Sequence, residues 1–566
     1  MNPINYTLDK IGSNKCTHIW LLAALLIVLT EVMTICYPIQ PGHDLFFHLM
    51  RLNALSDAIR DGNFPFYLDY NAINTYGYFT KAFYSDLLLI PFAYIALYTG
   101  DIVAYQIMLF TMTVATGIIM FKVVNIIYKK PYVAFVSSLL YTFAYYRLLD
   151  MYRRGALGES LTFTFVPIVF LGLYHIIKGD YKKWYIIAIG YSLMVFSHII
   201  SSVLMFITMA IVMLIYWKPL LKEPKRILYL VLAGIVSLFM LAYYLYPMLE
   251  QMLSNTFYYE FAYIDLNYSR KQIFFVIWGL FSGIIYPKQI FIPGVGLILT
   301  MMVMLRLFVY GKSKEMKHMD GMLLFGIFYI FAYSIYFPWD IFPFNKLSFI
   351  QLPWRLLEFV TYFFAIAGAF YFSLLLKNKI RKLVGVVVLV TLTVVMMGSD
   401  GRDYTYATNV LQLGTKPTIH RAYNLGGLEY LPMKVPSPWY LEVRGESEVE
   451  FKNNSTKIDR IEKVKGITTV SFEIDSPETL ELPLLWYKGY SARLNGKEIP
   501  TKESPNGLVE VEVEESGELQ AYYGGTLVQK VSPYISIISV LLLCVYIFIY
   551  SRKRKTLCSD SLSKRK

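Results

Sequence analysis

The chain has 566 residues, of which 56% are hydrophobic, 17% aromatic and 16% charged, with a formal net charge of +13 and a mean hydropathy of +0.46. So low a charge content excludes an ordinary soluble domain and points to a polytopic membrane protein. Nor does the positive balance imply nucleic acid, because the basic residues stand in short runs between apolar segments, where they set orientation in a bilayer.

The first apolar stretch, Ile19 to Tyr37, is followed by no small-residue cleavage pattern and continues into a charged amphipathic segment, so it reads as a retained anchor. Cys16, Cys36, Cys544 and Cys558 all fall in or beside the first and last apolar segments, and none can staple an exposed domain. Next comes "PGHDLFFHLMRLNALSDAIRDGNFP", from Pro41 to Pro65. Residues at i, i+4 and i+7 share a helix face, which puts Asp44, His48, Arg51 and Leu55 on one stripe. Such a helix is expected to float along the membrane, its polar stripe toward an aqueous cavity and its apolar side in lipid. Asp44 falls in the first turn, where unpaired amides and the macrodipole favour an ionised carboxylate.

A crossing needs about 20 mostly apolar residues, with roughly 17 as a floor. Basic clusters follow at Lys129-Lys130, Lys178 to Lys183, Lys218 to Arg226, Lys312 to Lys317, Lys377 to Lys382 and Arg552 to Lys566. Taken as cytoplasmic, they fix twelve crossings, over 19–37, 103–127, 131–148, 161–177, 184–199, 201–217, 227–247, 290–310, 321–337, 356–376, 382–398 and 532–550, with both termini inside. Two short apolar segments, Leu87 to Tyr98 and Ile273 to Tyr286, are laid in the outer interface, since counting the first as a span would invert everything downstream. Trp184 to Trp217 is the tightest case and requires a sharp outer turn near His198.

From 399 to 531 the pattern changes. Valines alternate with charges in "TTVSFEID" (Thr468 to Asp475) and "GLVEVEVEESGEL" (Gly507 to Leu519), which turns one apolar face inward at period two. Asn495-Gly496 suits a two-residue hairpin turn. The expectation is a small extracytoplasmic β-sandwich, returned to the membrane by a last span and basic cytoplasmic tail over 532–566.

This topology gathers four polar groups on the outer side: Asp44, His48 and Arg51; Arg153, Arg154 and Glu159 in "YRRGALGE"; His198; and Gln351 and Arg355 in "FIQLPWRLLE". A carboxylate fixed at a membrane face can take the proton of an incoming hydroxyl, while arginines hold a departing phosphate with paired donors. That division of labour moves a sugar from a lipid phosphate to an alcohol. The structural readings stand beside it: Asp44 as a charge complementing the helix dipole, Arg51 as a headgroup partner, Glu159 as a cap, His198 as a turn residue and Arg355 as an interfacial anchor.

The same stretches carry a resemblance. "HDLFFHLMR" (His43 to Arg51) followed by "GNFP", "RRGALGE" (Arg153 to Glu159), "SH" (Ser197-His198) and "IQLPWR" (Ile350 to Arg355) resemble the bacterial YfhO-like family and the membrane proteins labelled 6-pyruvoyl-tetrahydropterin-synthase-related, which are similar to GT-C glycosyltransferases. The likeness extends over nearly the whole chain, including "LPLLWYKGYSARLNG" (Leu482 to Gly496). It implies a GT-C-like transmembrane domain over 1–398 whose first outer loop, 38–101, bears catalytic helices. It also implies a polyprenyl-phosphate sugar donor and an acceptor such as a cell-wall polymer, teichoic acids included, or a glycolipid. By that carry-over Asp44 matches the first-loop acidic position and Glu159 the second-loop one. The paired "DD" or "DxD" of some members is missing, which counts against a bound metal and leaves a divalent cation an open cofactor. The pterin label fails, because His43 and His48 lie on different helical faces and make no zinc cluster. The alternative is a transporter or flippase of a lipid-linked glycan, in which the arginines guide headgroups without chemistry. Transporters bury ionisable residues at mid-membrane or break helices there. Few such residues fall inside the spans, Glu31 and Arg306 being exceptions near span ends, so the polar groups gathered at one face favour an enzyme.

Overall fold

The computed structural model describes residues 15–39, 44–258, 269–282, 292–407, 430–445, 448–451 and 456–563. His43 and the far end of the Ile273 to Tyr286 segment lie outside them. Six described stretches are long and apolar enough to cross a membrane: Ile19–Cys36, Asp101–Tyr128, Leu157–Ile177, Pro353–Leu375, Lys379–Arg402 and Leu527–Lys553, or seven with a pair of helices bent by 71°. Several of the other expected spans are shorter helices. Pro131–Thr142, Tyr185–Ser197 and Ile199–Ile215 have 12, 13 and 17 residues, and even the longest covers only about 26 Å of a hydrocarbon core of roughly 30 Å.

In chain order, α1 (Lys15–Cys36) leads to α2 (Leu45–Arg60), α3 (Ile90–Thr99), α4 (Asp101–Tyr128) and α5 (Pro131–Thr142). Most of the Leu87 to Tyr98 segment, expected to lie in the outer interface, falls in α3, whose ten residues rise only about 15 Å. At the centre stands α6 (Leu157–Ile177), mostly apolar, with 89% of the residues in its apolar window buried, as in the Pro353–Leu375 stretch. A helix so largely apolar belongs inside a bundle. Around it lie α7 (Tyr185–Ser197), α8 (Ile199–Ile215), the bent pair α9 (Lys225–Met240) and α10 (Ala242–Ser254), α11 (Lys314–Tyr333), α12 (Leu357–Leu375), α13 (Lys379–Ala407) and α14 (Leu527–Ser563). In α14, Ile537, Leu541 and Leu542 turn outward, more than half exposed.

Among the described residues the β-domain has nine strands in two antiparallel sheets, ordered β1-β4-β8-β7 and β2-β3-β9-β5-β6, running from β1 (Glu450–Phe451) to β9 (Gly517–Tyr523). The alternating runs are β3 (Ile467–Glu473) and β8 (Leu508–Val513). Asn495 and Gly496, both at positive φ, turn β5 (Tyr490–Leu494) into β6 (Lys497–Ile499), with Leu494 opposite Lys497. Both sheets fill one core, to which Val470, Leu482, Val511 and Leu519 contribute. The domain edges differ from the compositional ones: α13 runs to Ala407, past residue 398, and α14 begins at Leu527.

The expectation that α2 floats with one side in lipid is corrected. Leu45, Leu49, Leu52 and Leu55 belong to the helical core, while Met50 belongs to the core of the β-domain. A helix wedged between two cores buries both faces, polar stripe included. The loop after it completes the wedge: the Leu485 amide donates to the Tyr76 carbonyl at 2.8 Å, and Lys463 Nζ donates to Thr75 Oγ1 at 2.9 Å.

Candidate functional site: a buried carboxylate–guanidinium cluster

The segment between α5 and α6 ends in a π-helical turn, Leu149–Arg154, a rare geometry that recurs at functional sites. Gly155 closes it at φ +67, and a Cβ there would stand 2.8 Å from the Leu45 amide nitrogen. The next glycine, Gly158, would put a Cβ 2.8 Å from the Ser197 carbonyl oxygen. The glycines of "RRGALGE" thus let this segment press against the start of α2 on one side and the α7–α8 junction on the other. The Asp44 amide donates to the Arg154 carbonyl at 2.8 Å, which fixes the register.

Glu159 sits at the focus, 1% exposed. Its Oε2 accepts from Arg154 Nη1 at 2.7 Å and from Arg355 Nε at 3.4 Å, and its Oε1 accepts from Tyr146 OH at 2.6 Å. Arg154 Nη1 also reaches Asp150 Oδ1 at 2.6 Å. Burial and the neighbouring Glu159 push the Asp150 carboxyl well above the usual carboxylate range, against the opposing pull of Arg154. Arg355 is held from behind, its Nη1 donating to the Ile350 carbonyl at 2.8 Å and to Gln351 Oε1 at 3.4 Å. Gln351 takes φ +64, a sparsely populated conformation for a residue with a side chain, of the kind found at functional sites.

On α2, Arg51 Nη1 donates to His48 Nδ1 at 3.2 Å, which leaves the His48 proton on Nε2. Arg51 Nη2 pairs with Asp86 at 3.1 Å and donates to the Ser85 carbonyl at 2.8 Å. His198 caps α8, its Nδ1 accepting from the Ser201 amide at 3.2 Å.

The nine residues singled out in the sequence therefore group as follows. His48, Arg51, Arg154, Glu159, His198 and Arg355 are buried, while Asp44, Arg153 and Gln351 are half-buried at the edge. The aqueous exposure expected for the polar stripe is confined to Asp44, since His48 and Arg51 are buried and Arg51 pairs with Asp86. Sequence reasoning missed Tyr146, Asp150, Asp86 and Glu358. Asp150 stands four residues before Arg154, a readable i,i+4 pair, and Glu358 lies inside the "FIQLPWRLLE" stretch. Glu358 is fully buried and accepts a short hydrogen bond from Thr162 Oγ1. Glu159 and Glu358 also lie within helices long enough to span, so buried ionisable groups do not by themselves separate enzyme from transporter. Among the described residues no group of three or more His, Cys, Asp or Glu side chains is placed to hold a metal ion.

Burial holds the His48 imidazole well below its ordinary value, helped by Arg51 and then His198. The unfolded chain binds a proton there that the folded chain refuses, so this stability is complete above about pH 6.5 and drains away as pH falls below it. Thermal unfolding in detergent at pH 8 and pH 5 should show the loss, at most about 1.4 kcal/mol per pH unit for one proton. His48→Gln should flatten the slope; an unchanged slope would place the titration elsewhere.

The fold and site define a helix-rich protein whose described residues hold six or seven candidate spans by length and composition, with a β-domain and a buried ionic cluster. Over 229 residues it is 24% identical to an uncharacterized protein of Lactococcus lactis subsp. cremoris (strain MG1363), a match covering 38% of this chain. The chain spans 37% of that relative's length. No family model matches the chain.

Proposed function

We propose that this protein is a GT-C-type membrane glycosyltransferase, moving a sugar from a polyprenyl-phosphate donor to an extracytoplasmic acceptor such as a cell-wall polymer or glycolipid. The observation that carries the reading is the meeting of Asp44 with the Arg154–Glu159–Arg355 cluster, from three distant stretches of chain. In the reaction the acceptor oxygen bonds to the anomeric carbon, the bond from that carbon to the phosphate oxygen breaks, and the lipid phosphate leaves with the bonding pair. Asp44 takes the acceptor proton. Arg355 and Arg153 face the leaving phosphate, and Glu159 positions Arg154 and Arg355. His48, Arg51, His198 and Gln351 shape the rest of the pocket.

The topology that goes with this reading has twelve crossings, both termini in the cytoplasm and the cluster outside. A single cysteine at Lys129 should label only from the cytoplasmic side and one at Lys497 only from outside, in a background lacking Cys16, Cys36, Cys544 and Cys558; the reverse pattern would overturn it. The direct test is purified protein in vesicles with a polyprenyl-phosphate sugar. Release of polyprenyl phosphate, with the sugar on an acceptor, is expected.

One observation favours the second reading, a transporter or flippase of a lipid-linked glycan: the 71° break between α9 and α10, since transporters break helices near their sites. That protein would move the lipid-linked sugar across the vesicle wall with its phosphate bond intact.

A further inference from the structure

A cavity of about 460 Å³ lies among the ends of α4, α6, α8 and α11 and the middle of α12, within the size range of small-molecule sites. At its inner end Phe170 and Tyr362 stack face to face, ring centroids 4.4 Å apart, with Leu173 beside them. Its opposite end is cationic. Lys178 follows directly on α6, and Lys317 and His318 come from the start of α11. Both nitrogens of His318 are taken by tyrosine hydroxyls, Tyr128 at 3.2 Å and Tyr216 at 2.9 Å, and this bridge holds three helix ends around the opening.

The lysines have no such neutralising partners. Among the described residues no carboxylate pairs with Lys178 or Lys317. The acidic groups of α11 are already engaged, Glu315 by Lys130 at 2.6 Å and Asp320 by Arg306 at 2.6 Å. Lys178 instead lies over the Tyr216 ring at 4.3 Å, and burial together with Lys314 holds its ammonium below the ordinary range. An apolar chamber closed by aromatic rings and rimmed by uncompensated lysines fits an amphiphile with a phosphate head and a hydrocarbon chain.

We infer that this cavity binds an anionic phospholipid of the surrounding bilayer, its acyl chain against Phe170, Leu173 and Tyr362 and its phosphate at Lys178 and Lys317. A sugar donor is the wrong occupant. Lys178 lies nineteen residues from Glu159 along α6, about 28 Å at the helical rise, so a phosphate there is out of reach of the buried cluster. The inference stands or falls separately from the proposed activity.

Native mass spectrometry of the delipidated full chain in detergent tests it, with phosphatidylglycerol, phosphatidylcholine and polyprenyl phosphate added in turn. One phosphatidylglycerol should bind in preference to phosphatidylcholine. Replacing both lysines by alanine should lower its occupancy at least five-fold, whereas Lys178→Arg with Lys317→Arg should keep it. Leu173→Trp fills the chamber while leaving the lysines in place, and should also expel the lipid. Equal binding of phosphatidylcholine to the unaltered protein, or phosphatidylglycerol occupancy untouched by Leu173→Trp, would overturn the site. Polyprenyl phosphate binding in place of phosphatidylglycerol, and lost in the same variants, would overturn the phospholipid assignment.

Discussion

Asp44→Asn is expected to leave the chain folded and inserted while lowering sugar transfer by about 10²–10⁴-fold, the usual contribution of a positioned acid or base. The two halves of that expectation rest on different features. Asp44 occupies the N-cap of α2, but its side chain makes no capping hydrogen bond. Asparagine caps as well as aspartate, and the amide bond to the Arg154 carbonyl belongs to the backbone. Stability should therefore move by no more than about 0.5 kcal/mol. The role proposed for the Asp44 carboxylate is to take the proton of the acceptor hydroxyl. Transfer at the unaltered rate, from a variant with an unaltered melting temperature, would remove Asp44 from the chemistry.

Glu159→Ala has the opposite signature. It deletes the carboxylate that Arg154 and Arg355 share and, among the described residues, leaves the buried Arg355 with neutral acceptors alone, while Arg154 keeps Asp150. Breaking a buried ion pair from one side costs about 3–5 kcal/mol, and Tyr146 loses its acceptor as well. The variant should melt far earlier or fail to accumulate. Adding Arg355→Met should recover part of the loss, because the stranded charge goes with it. A melting curve that does not shift in Glu159→Ala would mean that water reaches the cluster freely.

The sequence exposed those parts whose cause is local. Period-two alternation marked β3 and β8, and Asn495-Gly496 marked the β5–β6 turn, because pleat and positive φ are written in neighbouring residues. The stripe of Asp44, His48 and Arg51 was legible as helix spacing. What covers that stripe was not: that Met50 enters one core and Leu49 another is decided by residues hundreds of positions away. The same holds for Glu159. Its motif was visible and Arg355 was expected on the same side, whereas the bond from Tyr146 comes from another element and carries no shared spacing. Charge counting returned twelve crossings from short basic runs, yet helices such as α5 and α7 stop well short of a full bilayer, ended by local breaks that hydropathy does not register.

The β-sandwich is tied down at several places: to the loop after α2 through Tyr76 and Thr75, to α10 by Gln251 Nε2 donating to the Lys488 carbonyl at 2.8 Å, and to the chain beyond α10 by the Met433 amide donating to the Thr256 carbonyl at 2.9 Å. It is moored like a bolted plate rather than hung like a lid. A molecule travelling to Asp44 cannot be admitted by swinging that plate aside without severing every mooring. On the proposed activity, a lipid-borne donor would instead come sideways, between helices.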